Sequence, residues 1–212
     1  MQKMMFALLM LVLVACTPSQ SIENAETGDL LLEENFSTGY RWSSYNIDAY
    51  TVNARDGVYA MLLNQPGQYI WGTTAGQYTN SVIEVDVTWR SDNPDALTGV
   101  ICRLNPENSR GYYVVVSASG DYSIRYIGRN NDDAIARWQS HNRIPRTGSF
   151  TMRVACIGNS IRLSINGHVI DSASDSRLSG GQIGLTLGLS SNASGIALVE
   201  FDNLRVWDAS GE

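Results

Sequence analysis

The feature that most constrains the fold is a series of short segments in which apolar and polar residues alternate. The clearest of them is SVIEVDVTWR, at residues 81–90. Because successive side chains of a strand point to opposite faces, this segment has one apolar face and one mixed face. The apolar face comprises Ile83, Val85, Val87 and Trp89. Such a pattern predicts a half-buried β-strand with its apolar face toward a core.

Similar strand-like segments follow along the chain, at residues 101–104, 112–118, 122–127, 150–157, 161–165, 168–172, 182–189 and 197–207. Three of the connections are hairpin turns, Ser119-Gly120-Asp121, Gly158-Asn159 and Asn166-Gly167. No stretch of a dozen residues keeps helical spacing, so no crossover helices are predicted. About ten or more strands with short turns predict an all-β domain, an antiparallel two-sheet β-sandwich.

The first residues predict a bacterial lipoprotein signal. Lys3 is followed by an apolar run at residues 4–14, which is shorter than a helix needs to be to span a bilayer. The run ends in Leu13-Val14-Ala15-Cys16, which resembles a lipobox, with small residues before a thiol that can carry a lipid. We therefore expect a signal peptide at 1–15, lipid attachment at Cys16 and a membrane partner through that lipid. The alternative is an ordinary signal peptide that contains a cysteine.

The remaining sequence divides into a tether and one domain. Residues 16–29 are polar after Cys16 and lack periodicity, so we expect a flexible tether there, with the β-sandwich at 30–208. The formal net charge of −6 argues against a nucleic-acid partner, because binding phosphates requires clustered Lys and Arg. The predicted location is the cell surface or the periplasmic side of a bacterial membrane.

Two further cysteines, Cys102 and Cys156, lie in strand-like segments. Outside the cytoplasm two such residues most simply form one disulfide. Two buried free thiols are the alternative.

Several motifs in order along the domain support a family resemblance. They include Glu34-Asn35-Phe36, Asp56-Gly57-Val58-Tyr59, Gly181-Gln182-Ile183-Gly184-Leu185 and Phe201-Asp202-Asn203-Leu204-Arg205-Val206. The chain resembles the concanavalin A-like jelly-roll superfamily, in its LamG-like or family-16-glycosidase-like form. This resemblance implies a jelly roll, and it leaves the activity open because the fold hosts lectins, glycosidases and plain spacers.

Glycosidases of this kind carry a strand motif close to E-x-D-x-E or E-x-D-x-x-E. Here Glu84 and Asp86 match the first two carboxylates, but Thr88 and Trp89 stand where the third would be. Since the mechanism needs two catalytic carboxyl groups, the sequence favours a protein without that activity. Glu84 and Asp86 are equally explained as a solvated strand face.

Carbohydrate recognition uses aromatic rings and planar polar groups. Residues 129–146 (RNNDDAIARWQSHNRIPR) form the longest predicted loop, with Trp138 as its candidate exposed ring. Loops on rigid scaffolds often carry function. We predict ligand binding by Trp138, Arg137, Arg103 and Tyr113, although many of the aromatic residues are expected to fill the core.

No cofactor is predicted, apart from a possible structural calcium ion. If the first and last strands pair, Glu34 and Asn35 come near Asp202, and oxygen ligands of this kind suit Ca²⁺. A turn or strand-edge hydrogen bond explains Asp202 equally well.

Three functions follow in order of preference. The first is a lipid-anchored, non-catalytic, lectin-like module for a glycan or another surface polymer. The second is a structural or protein-interaction domain, with a cell-surface protein as partner and no small ligand. The third is a divergent glycoside hydrolase.

Overall fold

A computed structural model describes residues 27–38 and 41–209. Cys16, the predicted signal peptide and most of the predicted tether lie outside these residues. The described part of the chain contains fifteen β-strands. They are β1 (Leu30–Glu34), β2 (Tyr45–Ile47), β3 (Tyr50–Arg55), β4 (Val58–Leu63), β5 (Gln68–Tyr78), β6 (Ser81–Trp89), β7 (Ala96–Asn105), β8 (Arg110–Ser117), β9 (Asp121–Gly128), β10 (Asn131–Ser140), β11 (Ser149–Ile157), β12 (Ser160–Ile165), β13 (His168–Ser174), β14 (Gly181–Leu189) and β15 (Ala197–Asp208).

The strands form two antiparallel sheets, as the alternation predicts. The nine-stranded sheet has the order β13-β12-β11-β6-β15-β4-β3-β2, and β1 also pairs with β15. The six-stranded sheet has the order β10-β9-β8-β7-β14-β5. Strands distant in sequence lie side by side, as β6 and β15 do, and this arrangement is typical of a jelly roll. Within the described residues, no helix is long and apolar enough to span a membrane.

The core lies between the sheets and follows the predicted alternation. In β6, Ile83, Val85 and Val87 are fully buried in it, and the Trp89 ring is buried at the end of the strand. The Trp89 indole N–H donates to the Pro145 carbonyl at 3.1 Å, so its polar atom is satisfied. Burial of a side chain of this size contributes about 1.5–3 kcal/mol.

The two sheets are joined covalently. Cys102 on β7 and Cys156 on β11 form a disulfide, which confirms the predicted pairing. The two cysteines are 54 positions apart in the sequence. Their bridge links β7 of the six-stranded sheet to β11 of the nine-stranded sheet. In the chain-entropy picture such a crosslink is worth about 2–4 kcal/mol.

Residues 129–146 do not form the predicted long loop. Most of them belong to β10, which pairs with β9 and forms one edge of the six-stranded sheet. Eight of its ten residues are exposed, because an edge strand has a neighbour on one side and little core to cover. The segment therefore lacks the apolar alternation by which a strand is recognised from sequence.

Candidate functional site

A groove of about 410 Å³ lies on the outer face of the six-stranded sheet, which is the face turned away from the core. Strands β5, β7, β8, β9, β10 and β14 all contribute to its walls or floor. It is bordered at one end by the segment that follows β14, including Ser190 and Ser191. We call this feature the groove.

The groove has an aromatic wall on each side. Trp138 on β10 is 41% exposed, and Tyr69 on β5 is half-buried. The Tyr69 ring lies edge-on to the Tyr113 ring, with centroids 6.2 Å apart. Burial raises the pKa of the Tyr69 hydroxyl to about 12, so at neutral pH it keeps its proton and can donate a hydrogen bond.

The floor beneath the Tyr69 ring depends on a glycine. A Cβ at position 188 would lie 2.6 Å from a carbon of that ring. Only a residue without a side chain lets the ring lie flat against β14 at this point. Gly188 therefore sets the position of one aromatic wall.

An arginine–aspartate pair spans two strands in the groove. The Arg125 Nε donates to the Asp132 carboxylate at 2.6 Å, and one terminal nitrogen donates to the Ser123 hydroxyl at 3.3 Å. The Arg125 side chain is largely buried, whereas that of Asp132 is exposed. The pair therefore presents a carboxylate at the surface with its orientation fixed from below.

A second carboxylate is held by hydroxyl groups. Asp121 accepts hydrogen bonds from Ser140 and, at 2.8 Å, from Ser119. The Ser140 bond, followed by the Ser119 bond, holds the Asp121 pKa below its ordinary value. Asp121 is thus ionised at neutral pH and can accept further hydrogen bonds from a ligand hydroxyl.

The predicted ligand residues differ in whether they reach the surface of the groove. Trp138 lines the groove, and Arg137 is exposed beside it without lining it. Tyr113 does not reach a surface: it is 1% exposed and packs with Ile101 and Val115 beneath the groove face. Tyr113 has almost no exposed surface because Tyr69, Trp71 and Ile127 pack against its cluster, so the structure gives no support to a ligand contact there.

Arg103 is also buried, so the structure gives no support to its prediction as a ligand residue. It is 2% exposed and has a positive φ of 55°, which turns it out of the regular strand. Its guanidinium donates to the carbonyls of Thr79 at 3.1 Å, Leu178 at 2.7 Å and Cys156 at 3.5 Å. Arg103 thus satisfies backbone acceptors from three segments of the chain rather than facing solvent.

Sequence reasoning did not select Asp121, Arg125 and Asp132 as site residues. In β9, Asp121, Ser123 and Arg125 alternate with the core residues Tyr122 and Ile124. That alternation is visible in the sequence and would have placed these polar groups on one face.

The residues predicted to hold calcium line two neighbouring grooves that share Asn203. Glu34 and Asn35 line one groove and Asp202 lines another, although β1 and β15 do pair. Glu34 accepts from the Phe36 amide at 2.9 Å and Asn35 from the Ser37 amide at 3.1 Å. Among the described residues, no group of three or more His, Cys, Asp or Glu is arranged to hold a metal ion. Calcium binding stays a prediction without a defined set of ligands.

The Glu84–Asp86 motif lies on the opposite side of the molecule from the groove, on the outer face of the nine-stranded sheet. Glu84 pairs with Arg153 at 3.1 Å. Asp86 accepts from Thr151 at 2.7 Å and from Asn203 at 2.9 Å. Both carboxylates are therefore engaged by neighbouring strands.

No protein-family model matches the chain, and no curated protein matches it. Solved structures match its architecture. The carbohydrate binding module CBM66 from Bacillus subtilis superposes with a TM-score of 0.59 at 15% identity, over 81% of this chain and 98% of that one. The chain shares this two-sheet jelly-roll fold.

Two further structures extend this similarity. A protein of unknown function with a galectin-like fold from Bacillus subtilis gives a TM-score of 0.66 at 10% identity, over 86% of this chain and 97% of that one. A Bacillus licheniformis beta-glucanase gives 0.60 at 15% identity, over 86% and 99%. At these identities the similarity establishes the jelly-roll fold alone, and the function must be argued from the site.

Proposed function

We propose that this chain is a lipid-anchored, extracytoplasmic glycan-binding domain whose site is the groove on the six-stranded sheet. The observation that carries the proposal is the exposed ring of Trp138 on the wall of that groove. A large aromatic side chain at the surface loses the free energy of burial, so its exposure beside a cavity favours a ligand that covers it.

The chemistry of the groove suits a sugar. Aromatic faces stack on the apolar C–H faces of pyranose rings, and Trp138 and Tyr69 supply two such rings. Carboxylates accept hydrogen bonds from sugar hydroxyl groups, and Asp121 and Asp132 are held in place for this role. A few fixed polar groups among apolar ones give orientation and specificity.

The structural relatives support the same ligand class. One is a carbohydrate binding module and another is a beta-glucanase. Both have a TM-score of about 0.6 to this chain over more than four fifths of its length. Their names make carbohydrate the first class of ligand to test.

The proposed role is non-catalytic binding. Glycoside hydrolysis needs two carboxyl groups facing each other across the sugar. The motif that matches such enzymes, Glu84 and Asp86, lies on the other sheet and is engaged by Arg153, Thr151 and Asn203. In the groove, Asp132 is bound by Arg125, and Asp121 accepts from Ser119 and Ser140, so both carboxylates are engaged as hydrogen-bond acceptors.

The proposed location rests on the sequence. The lipobox-like residues before Cys16 support lipidation, and the Cys102–Cys156 disulfide fits an oxidising compartment. Metabolic labelling with a radioactive fatty acid tests the anchor directly. The wild-type chain should incorporate label and a Cys16→Ser variant should not, whereas equal labelling of the two would contradict lipidation at Cys16.

The test of the site is a glycan-array screen of residues 17–212, followed by binding isotherms on each glycan retained. We expect Trp138→Ala to weaken binding about tenfold or more, as loss of a central aromatic contact does. Tyr45→Ala is the matched control, because Tyr45 is 47% exposed on β2, in the other sheet.

Two outcomes would count against the proposal. If folded protein binds nothing across a broad array, the glycan function falls, and a structural or protein-interaction role takes its place. If Trp138→Ala and Tyr45→Ala weaken binding equally, the groove is not the site.

A further inference from the structure

The chain enters the domain at the end of the sandwich opposite the end of the groove that Ser190 and Ser191 border. The Gly28 amide donates to the Asp208 carbonyl at 2.7 Å, and the Ala209 amide donates to the Asn80 carbonyl at 3.3 Å. The first strand therefore begins beside the last residues of β15. We call the end marked by Gly28, Asn80 and Asp208 the tether end.

Strand β14 relates the tether end to the groove. It begins at Gly181, which pairs with Tyr78 and lies against the backbone of Arg103. The Arg103 guanidinium in turn binds the Thr79 carbonyl, one residue before Asn80. The strand ends at Leu189, which lines the groove. At about 3.3 Å per residue, these nine residues separate the two ends by about 26 Å.

We infer that the anchored chain presents its groove away from the membrane that holds it. Its ligand is then a glycan polymer above that membrane and not a sugar headgroup within it. This inference rests on the proposed function, both for the lipid at Cys16 and for the groove as the glycan site.

The length of the tether supports this orientation. Twelve residues join Cys16 to the domain, from Thr17 to Gly28, with a full reach of at most about 40 Å. An inverted domain, with the Ser190–Ser191 end of its groove against the bilayer, holds Gly28 about 26 Å above the surface and so takes up roughly two thirds of that reach. Holding the ends of a twelve-residue peptide that far apart costs conformational entropy. The opposite, upright orientation places Gly28 next to the bilayer, so the segment need not be extended.

The test measures orientation without any glycan. Full-length lipidated protein is reconstituted in phosphatidylcholine vesicles that carry an acceptor dye on a lipid headgroup. A donor dye is attached either at Asn192→Cys, in the segment that follows β14, or at Asn159→Cys, next to the tether end. Both positions are exposed, and the two native cysteines of the domain are in the disulfide, so each variant offers one free thiol in the domain.

Energy transfer should be strong from position 159 and weak from position 192. The distances from the bilayer should differ by about 20 Å or more, given the 26 Å of strand between the ends. Equal transfer from the two positions, or stronger transfer from position 192, would overturn the inference.

The experiment separates this inference from the proposed function. If the soluble domain binds glycan but position 192 lies next to the bilayer, the orientation is wrong and the function stands. If the orientation is upright but the array shows no glycan, the function fails and the ligand class falls with it. If the wild-type chain carries no lipid, the anchored orientation is refuted.

Discussion

The two outer faces of the sandwich differ in how their polar groups are used. On the nine-stranded sheet, charged side chains pair across neighbouring strands, as in Glu84–Arg153, Arg205–Glu33 and Arg90–Glu200. On the six-stranded sheet, Trp138, Tyr69 and Asp121 line a cavity, and Asp132 presents an exposed carboxylate to it. Paired charges occur on both faces, since Asp132 is bound to Arg125, so pairing alone does not separate the two faces. The six-stranded sheet differs because its carboxylates lie in one cavity with the exposed ring of Trp138, and one ligand can contact both.

Removing the disulfide should lower the stability of the domain without changing its glycan affinity. Replacing Cys102 and Cys156 together with alanine should lower the free energy of unfolding by about 2–4 kcal/mol, because the unfolded chain loses its crosslink. The bridge lies on β7 and β11, away from the groove lining, so glycan affinity should be unchanged while the protein is folded. Urea unfolding and a binding isotherm measure the two effects. A large loss of affinity in the folded variant would show that the groove depends on the crosslink.

Gly188→Ala probes the position of the Tyr69 ring. The added Cβ would meet the Tyr69 ring at 2.6 Å, so the ring must move. We expect a destabilisation of about 1–2 kcal/mol, as for other overpacked sites, together with weaker glycan binding. Thermal unfolding and isotherms for the same variant test both parts, and unchanged affinity would remove Tyr69 from the site.

The pH dependence of binding follows from Asp121. Hydrogen bonds from Ser140 and Ser119 lower its pKa in the folded protein, so its ionised form is stabilised. That contribution is present above the ordinary aspartate pKa of about 3.9 and is lost as pH falls through the lower folded value. Affinity should therefore hold from neutral pH down through the ordinary aspartate pKa and fall only as pH drops through the lower folded value. Asp121→Asn should abolish this loss of glycan affinity at acidic pH. If the variant and the wild-type protein have the same pH profile, Asp121 does not contact the glycan.

Glu84→Gln should have the smallest effect. The Glu84–Arg153 pair is partly exposed, and such pairs contribute about 0–1 kcal/mol. Stability should change within that range, and glycan affinity and any hydrolytic activity should be unaffected. Loss of binding or of hydrolysis in this variant would return the E-x-D motif to the functional site.

The sequence predicted the fold correctly for strands that have one face on the core and the other toward solvent. The alternation in β6 and the turns at Gly120 and Asn166-Gly167 gave the antiparallel sandwich, and these turn residues do have positive φ. The edge strand β10 was missed because exposure on both faces removes the periodic signal. The order of strands in the sheets depends on contacts between distant segments, which alternation does not encode.

The candidate site was predicted only in part. Trp138 stood out as an aromatic residue in a polar segment, and it lines the groove. Arg103 and Tyr113 are buried and do not line the groove, and residue type alone does not reveal burial. The Arg103 guanidinium binds three backbone carbonyls, and Tyr113 packs with Ile101 and Val115. The Arg125–Asp132 pair depends on the register between β9 and β10, which only the structure supplies.

Amide chemical-shift mapping during titration with the strongest glycan from the array tests the central claim most directly. The account predicts shifts concentrated on β5, β9 and β10, around Tyr69, Asp121 and Trp138, with the outer face of the nine-stranded sheet unperturbed. Shifts centred on Asp86 and Asp202 instead would contradict it, because the ligand would then bind the face whose polar groups are engaged by their neighbours.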